Sequence, residues 1–179
     1  MSPERIRITA LHEAAHFVAA YVKERNDDIH GITIVTEGRF AGSVGGQSPN
    51  VDFPDEVEDA LLGLYAGRAA SLYADPDDEE GALESAEADD MMAAALMPWL
   101  DRPPAEAEAE LRASAAALVA ENWHLIEALA ADLLVEKTID GEEATLVVQA
   151  AKGESWAPEE LRSYRKIKRA SQPLGPDER

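Results

Sequence analysis

The sequence predicts a mainly α-helical domain with a small β-sheet (α+β), the sheet following the first long helix. Three observations predict it. Apolar residues recur at three- and four-residue spacing along most of the chain, β-branched residues crowd at Ile32-Thr33-Ile34-Val35-Thr36, and a long alanine-rich stretch begins at Ala105. At 179 residues the chain is long enough for one compact domain with a sizeable core.

Ser2-Pro3-Glu4 has the chemistry of a helix start: a capping hydroxyl, a proline where the missing N–H costs nothing, and an acid near the positive end of the helix dipole. The predicted helix runs from 3 to 24, with Ile8, Leu11, Ala15, Val18, Ala19 and Val22 forming its apolar stripe. Asn26-Asp27-Asp28 interrupts the pattern. A strand is expected over 32–36, and a second from Phe40 to Val44, closed by Gly45-Gly46. Helical spacing resumes from Pro54 to Tyr73, where Gly63 and Gly67 weaken the helix intrinsically and imply close packing against a neighbour.

Residues 75–90 hold nine acids and no base, which predicts a loop that is either mobile or turned towards a metal. A helix over 91–100 stops near Pro103-Pro104. The stretch 105–137 forms one long helix, or two with a bend near Asn122. Thr138-Ile139-Asp140-Gly141 reads as a turn, and periodicity alone leaves 142–150 open between helix and strand. Arg162, Arg165, Lys166, Lys168 and Arg169 mark a basic helix, expected by default to be solvated, with docking on an acidic surface of this chain or of a neighbour as the alternative, before a polar tail expected to be disordered. The domain division is therefore 1–153 for the folded domain and 154–179 for the basic helix and tail.

Composition narrows the chemistry. Cysteine is absent, so disulfides, thiolate metal sites and cysteine nucleophiles are excluded, and any metal must sit on His, Asp or Glu. A formal net charge of -20 opposes binding to nucleic acid or anionic lipid. No apolar run reaches the roughly 18–20 residues that span a bilayer, so a soluble, cytoplasmic protein without membrane contact is expected.

His12-Glu13-Ala14-Ala15-His16 fits the pattern HExxH. Residues four apart on a helix lie about 40° apart around its axis, so two imidazoles can reach one zinc ion. Glu13 then stands beside the metal, as a general base for a zinc-activated water. A catalytic zinc commonly takes a third protein ligand. His30 and His124 lack a neighbour at ligand spacing, which leaves the acidic segment ending at Asp90 as the natural carboxylate donor.

These parts occur in an order that resembles the peptidase domain of the FtsH-type ATP-dependent zinc metalloproteases, over most of residues 5–150. TALHEAAHFVAAYV is followed by GITIVTEGRFAG, then by LLGLYAGRAASLY, which is similar to that family's GGRAAEE helix, and by SAEADDMMAAALM, similar to its TGAxNDL segment. NWHLIEALAADLLVEKTIDGEEATLVV resembles the closing helices and favours helix over 142–150. The resemblance implies zinc as cofactor, a polypeptide as substrate, and hydrolysis of peptide bonds in unfolded or small proteins. It also implies an extended substrate beside an edge strand around 32–36 and, on aligning Asp-Met with the family's Asp-Leu, Asp90 as third ligand to His12 and His16. Ala15, Ala86 and Glu87 depart from the family pattern, and with them Asp89, Glu87 and Glu84 stay open as alternatives. No Walker-type GxxxxGK[ST] sequence occurs, so a separate ATPase or a homo-oligomer is the expected partner. A non-catalytic descendant serving as a binding or regulatory module is the alternative reading.

Overall fold

A computed structural model describes residues 2–35 and 42–171. Helix α1 spans Pro3–Val22, and the Ser2 hydroxyl accepts the Arg5 N–H at 3.2 Å as its cap. Nearly every side chain from Thr9 to Ala19 is buried, because α1 runs through the middle of the fold. It packs chiefly against α2 (Pro54–Ala74) and α6 (Trp123–Glu136), and also touches the sheet.

The sheet has three antiparallel strands in the order β2-β1-β3, with β1 at Ile29–Thr33, β2 at Ser43–Gly46 and β3 at Thr138–Asp140. Strand β1 begins three residues before the predicted one, and Thr36, Glu37, Gly38 and Phe40 lie outside the described residues. Two expectations are corrected. The strand foreseen as an edge is the central one, since Ile32 stands opposite both Val44 and Ile139. The segment foreseen as a turn is strand β3, drawn into the sheet by burial of Ile139 against Ile32.

The acidic run is also not a loop beyond its opening turn at 75–78. It forms α3 (Glu79–Ser85) and the first turn of α4 (Glu87–Leu96). Its acids gather at helix N-termini, where the dipole favours them, and the Asp78 carboxylate caps α3 by accepting the Gly81 N–H at 3.0 Å. Repulsion is relieved by contacts outside the run: Glu84 with Arg5 at 2.6 Å and Asp90 with Arg112 at 2.8 Å.

The alanine-rich stretch resolves into α5 (Pro104–Glu121) and α6, broken at Asn122, whose side chain donates to the Leu118 carbonyl. Residues 142–150 lie within helix α7 (Gly141–Ala151). Helix α8 (Ala157–Ser171) is docked rather than freely solvated. Arg165 and Lys168 each approach the buried Glu143 carboxylate at 2.7 Å, Arg165 also reaches Asp132 at 2.9 Å, and Tyr164 donates to Asp140 at 2.9 Å. Residues 172–179, the foreseen tail, lie outside the described residues.

This clamp carries a stability prediction. Removing Arg165 leaves Glu143 buried with Lys168 alone, so Arg165→Ala should lower the unfolding free energy by about 3 kcal/mol in urea titrations. Burial would raise the Asp140 pKa, but Lys168, the Glu143 N–H and Tyr164 outweigh it and hold the carboxyl below its ordinary range; burial would lower the Lys168 pKa, but the Asp140 and Glu143 carboxylates outweigh it and hold the ammonium above its own. The Asp140 contribution is present above its unfolded pKa and is lost as pH falls through the lowered folded value. The Lys168 contribution is present below its unfolded pKa and is lost as pH rises through the raised one. Protection of α7–α8 amides against hydrogen exchange should therefore be flat through neutral pH and fail at the acid and strongly alkaline ends.

Candidate metal centre

Helix α1 presents His12 and His16 on one face, ring centroids 4.7 Å apart and edge to face. That face meets α2 along Gly63, Gly67 and Ser71, three positions spaced by four that line one side of a helix. Each of the three serves an imidazole. The Gly63 carbonyl accepts from His16 Nδ1 at 2.8 Å. Ser71 Oγ donates to the Gly67 carbonyl at 3.3 Å, which turns its lone pairs to His12 Nδ1, also at 3.3 Å. At Gly67 an added Cβ would come within 2.6 Å of Nε2 of both imidazoles, so only glycine admits the rings.

With both Nδ1 atoms engaged as donors, the Nε2 lone pairs point inward, and both meet one carboxylate oxygen. Asp89 Oδ2 lies 2.9 Å from His12 Nε2 and 3.3 Å from His16 Nε2. The ligand atoms of His12, His16 and Asp89 all lie within 4.8 Å of one another. Three acceptors facing one point are stable only with a proton or a cation between them. Burial alone would lower the His16 pKa, but the Asp89 carboxylate outweighs it and pushes it up to about 9. Burial alone would raise the Asp89 pKa, yet the two imidazoles hold it well below the ordinary carboxylate range. Glu13, 6% exposed, is displaced upward by burial in spite of both histidines. It lies under Gly42, where an added Cβ would stand 2.5 Å from Glu13 Oε1.

The carboxylate at the imidazoles is thus that of Asp89 and not of Asp90, which the family alignment had favoured. The two lie about 100° apart around α4. Asp90 faces α5 and is held by Arg112. The distinguishing signal is periodicity: Ala86, Asp89, Ala93 and Met97 form the buried stripe of α4, and Asp90 falls off it. Glu87 is exposed, Glu84 belongs to the Arg5 pair, and His30 and His124 are exposed away from the cluster. The sequence reading foresaw close packing at Gly67 but also at Gly63, where an added Cβ would meet open space and the carbonyl is what matters. Ser71 and Gly42 were not foreseen. Ser71 at i+4 from Gly67 was legible as a polar residue on the same helix face, whereas Gly42 depends on the chain path between β1 and β2.

Gly67→Ala should force the imidazoles apart, costing about 1–3 kcal/mol in the metal-free protein and moving the histidine ring resonances in nitrogen NMR spectra. Gly63→Ala, which adds its methyl to open space, should leave those resonances in place.

No protein-family profile matches the chain. Parts of it are similar to proteins named ATP-dependent zinc metalloprotease FtsH. The relative from Thermus thermophilus is 50% identical over 42 residues, 24% of this chain and 7% of that protein. An FtsH from Acidimicrobium ferrooxidans is 37% identical over 86 residues, 46% of this chain and 13% of its own length. FtsH 2 of Petrotoga mobilis is 32% identical over 74 residues, 39% of this chain and 12% of the relative. The matches thus span less than half of this chain and a small fraction of each relative, and they mark an FtsH-related region within it.

Proposed function

We propose that this chain is a zinc-dependent metalloendopeptidase of the FtsH peptidase type, hydrolysing peptide bonds in unfolded or small protein substrates. His12, His16 and Asp89 are its zinc ligands, and Glu13 is its general base. The observation that carries this reading is the convergence of two oriented Nε2 atoms and one carboxylate oxygen on a single buried point. Oxygen and nitrogen donors about 3.3 Å apart are what a tetrahedral zinc with bonds of about 2.0–2.1 Å requires. The similar proteins are named zinc metalloproteases.

A zinc ion held there supplies a Lewis acid that polarises water and the scissile carbonyl. The residues do the rest. Gly63 and Ser71 fix the imidazole tautomers, so that Nε2 remains free to ligate. Glu13 takes a proton from the attacking water and passes it to the leaving amine, a transfer that its upward-displaced pKa favours. The substrate would lie along β2 rather than β1, because β2 is a sheet edge and begins next to Gly42, directly over Glu13. The 179 residues include no nucleotide-binding motif of the Walker type. A separate ATPase would deliver folded substrates, and unfolded chains or peptides would enter unaided. Among the described residues no helix is long and apolar enough to cross a membrane.

Elemental analysis should find about one zinc per chain, lost in His12→Ala and Asp89→Ala and retained in Asp90→Ala. Glu13→Gln should keep the zinc and lose at least about 100-fold of the hydrolysis of an unfolded casein-type substrate. Absence of zinc from the parent even when supplied would defeat the reading. Zinc without hydrolysis would favour a non-catalytic binding or regulatory module.

A further inference from the structure

A cavity of about 490 Å³ opens at the C-terminal end of α1, away from the histidines. It lies where the end of α1 and the 3₁₀ turn Asn26–Asp28 meet the start of α6 and the last turns of α7. Its size is that of a site for a small organic ligand. Tyr21, the first residue of its lining, stands five residues beyond His16, about 8 Å further along the helix. None of His12, Glu13, His16 and Asp89 lines it.

The lining carries unpaired charge of both signs. The α1 side contributes the carboxylates of Glu24 and Asp27, and the α7 side contributes the ammonium of Lys152 and the amide of Gln149. None of these four side chains has a hydrogen-bond or ion-pair partner among the described residues. In a chain of net charge -20 an ammonium finds a carboxylate easily, yet Lys152 Nζ lies 5.1 Å from the centroid of the Tyr21 ring instead. The walls are fixed by other groups: the Asn26 amide donates to Thr145 Oγ1 at 3.2 Å, tying the 3₁₀ turn to α7. Leu125, buried, and the Tyr21 ring are the apolar part of the lining. Glu24 is also unusual in its backbone. The Arg25 N–H bonds to the Ala20 carbonyl at 2.8 Å to close α1, which leaves Glu24 at φ 56°, where glycine is the usual residue. An unfavourable backbone angle at a residue whose carboxylate lines a cavity is a mark of a functional position.

We propose that this cavity binds a short peptide of two or three residues with both termini free. Its ammonium pairs with Glu24 and Asp27, its carboxylate with Lys152, its main-chain amide with Gln149, and an apolar side chain packs on Tyr21 and Leu125. A simple anion or cation would use charge of one sign only, and a free amino acid would leave the Gln149 amide without a partner. The inference does not rest on the peptidase reading, because no residue of the histidine cluster takes part.

Nitrogen–proton NMR titration of the full chain with the dipeptide leucyl-leucine tests it. The amides of Tyr21, Glu24 and Gln149 should shift along one saturable curve with a Kd of about a millimolar or below, while the ring resonances of His12 and His16 stay in place. Blocking either terminal charge, in N-acetyl-leucyl-leucine or in leucyl-leucine amide, should weaken binding by about threefold or more. Lys152→Gln should weaken the free dipeptide by that factor and leave binding of the amide unchanged. The double variant Glu24→Gln with Asp27→Asn should weaken the free dipeptide likewise and leave binding of the acetylated form unchanged. All three positions are solvent-exposed, and circular dichroism would show each fold retained. A parent that shows no saturation up to about 20 mM dipeptide would overturn the proposal. So would blocked peptides that bind as well as the free one, variants that bind it as the parent does, or shifts gathered at the histidines.

Discussion

The structure depends on how closely two helices can approach where they carry polar groups. His12 and His16 lie inside the fold, and a buried imidazole costs several kcal/mol unless its nitrogens are paired. Helix α2 supplies the pairing through its own backbone and smallest side chains. Gly67 removes the Cβ that would strike both rings, the Gly63 carbonyl takes one ring proton and Ser71 the other. The two glycines weaken α2 as an isolated helix by about 1 kcal/mol each, and packing on nearly all sides offsets that loss. Small residues on the α1 side, Ala10, Ala14 and Ala15, leave no bulk to hold the helices apart.

Once the imidazoles are fixed, the identity of the carboxylate that meets them follows from helix geometry. Helix α4 crosses near α2, and only its buried stripe can face the rings. Asp89 is the one acid on that stripe, and its neighbour Asp90 is spent on Arg112, which in turn stacks on Tyr65 of α2 at 4.2 Å. Adjacent aspartates thus have distinct duties: one carboxylate aims at the imidazoles while the other ties α4 to α5 and, through Arg112, to the ring of Tyr65. The run of acids that supplies both stays folded because it is divided between two helix starts, each with its own dipole.

How much of this was legible varies with the range of the interaction. The HExxH spacing on α1 and the extents of α1 and α2 are local properties, and the sequence carried them to within two residues. Asp89 was within reach, since the spacing of Ala86, Ala93 and Met97 marks its face; the family alignment led instead to the adjacent aspartate. The middle position of β1 and the strand character of Thr138–Asp140 were out of reach. Both depend on two segments more than a hundred residues apart meeting at Ile32 and Ile139, and three residues have no periodicity of their own. The docking of α8 likewise depends on Glu143, an acid that reads as an ordinary exposed first-turn residue until the basic helix covers it.

The sheet's contribution is easily underrated because it is so small. Pairing β2 to β1 sets where the chain returns after the first strand, and that return puts Gly42 against Glu13. A larger residue there would push the carboxylate aside, while an open gap would hydrate it and return its pKa towards the ordinary carboxylate value. The upward displacement of Glu13 therefore reflects the burial of α1 among helices, to which Gly42, standing against the carboxylate, contributes. For the proposed peptide hydrolysis a base at this position would have to be dry enough to hold a proton between two transfers and to border an open sheet edge along which a peptide could lie.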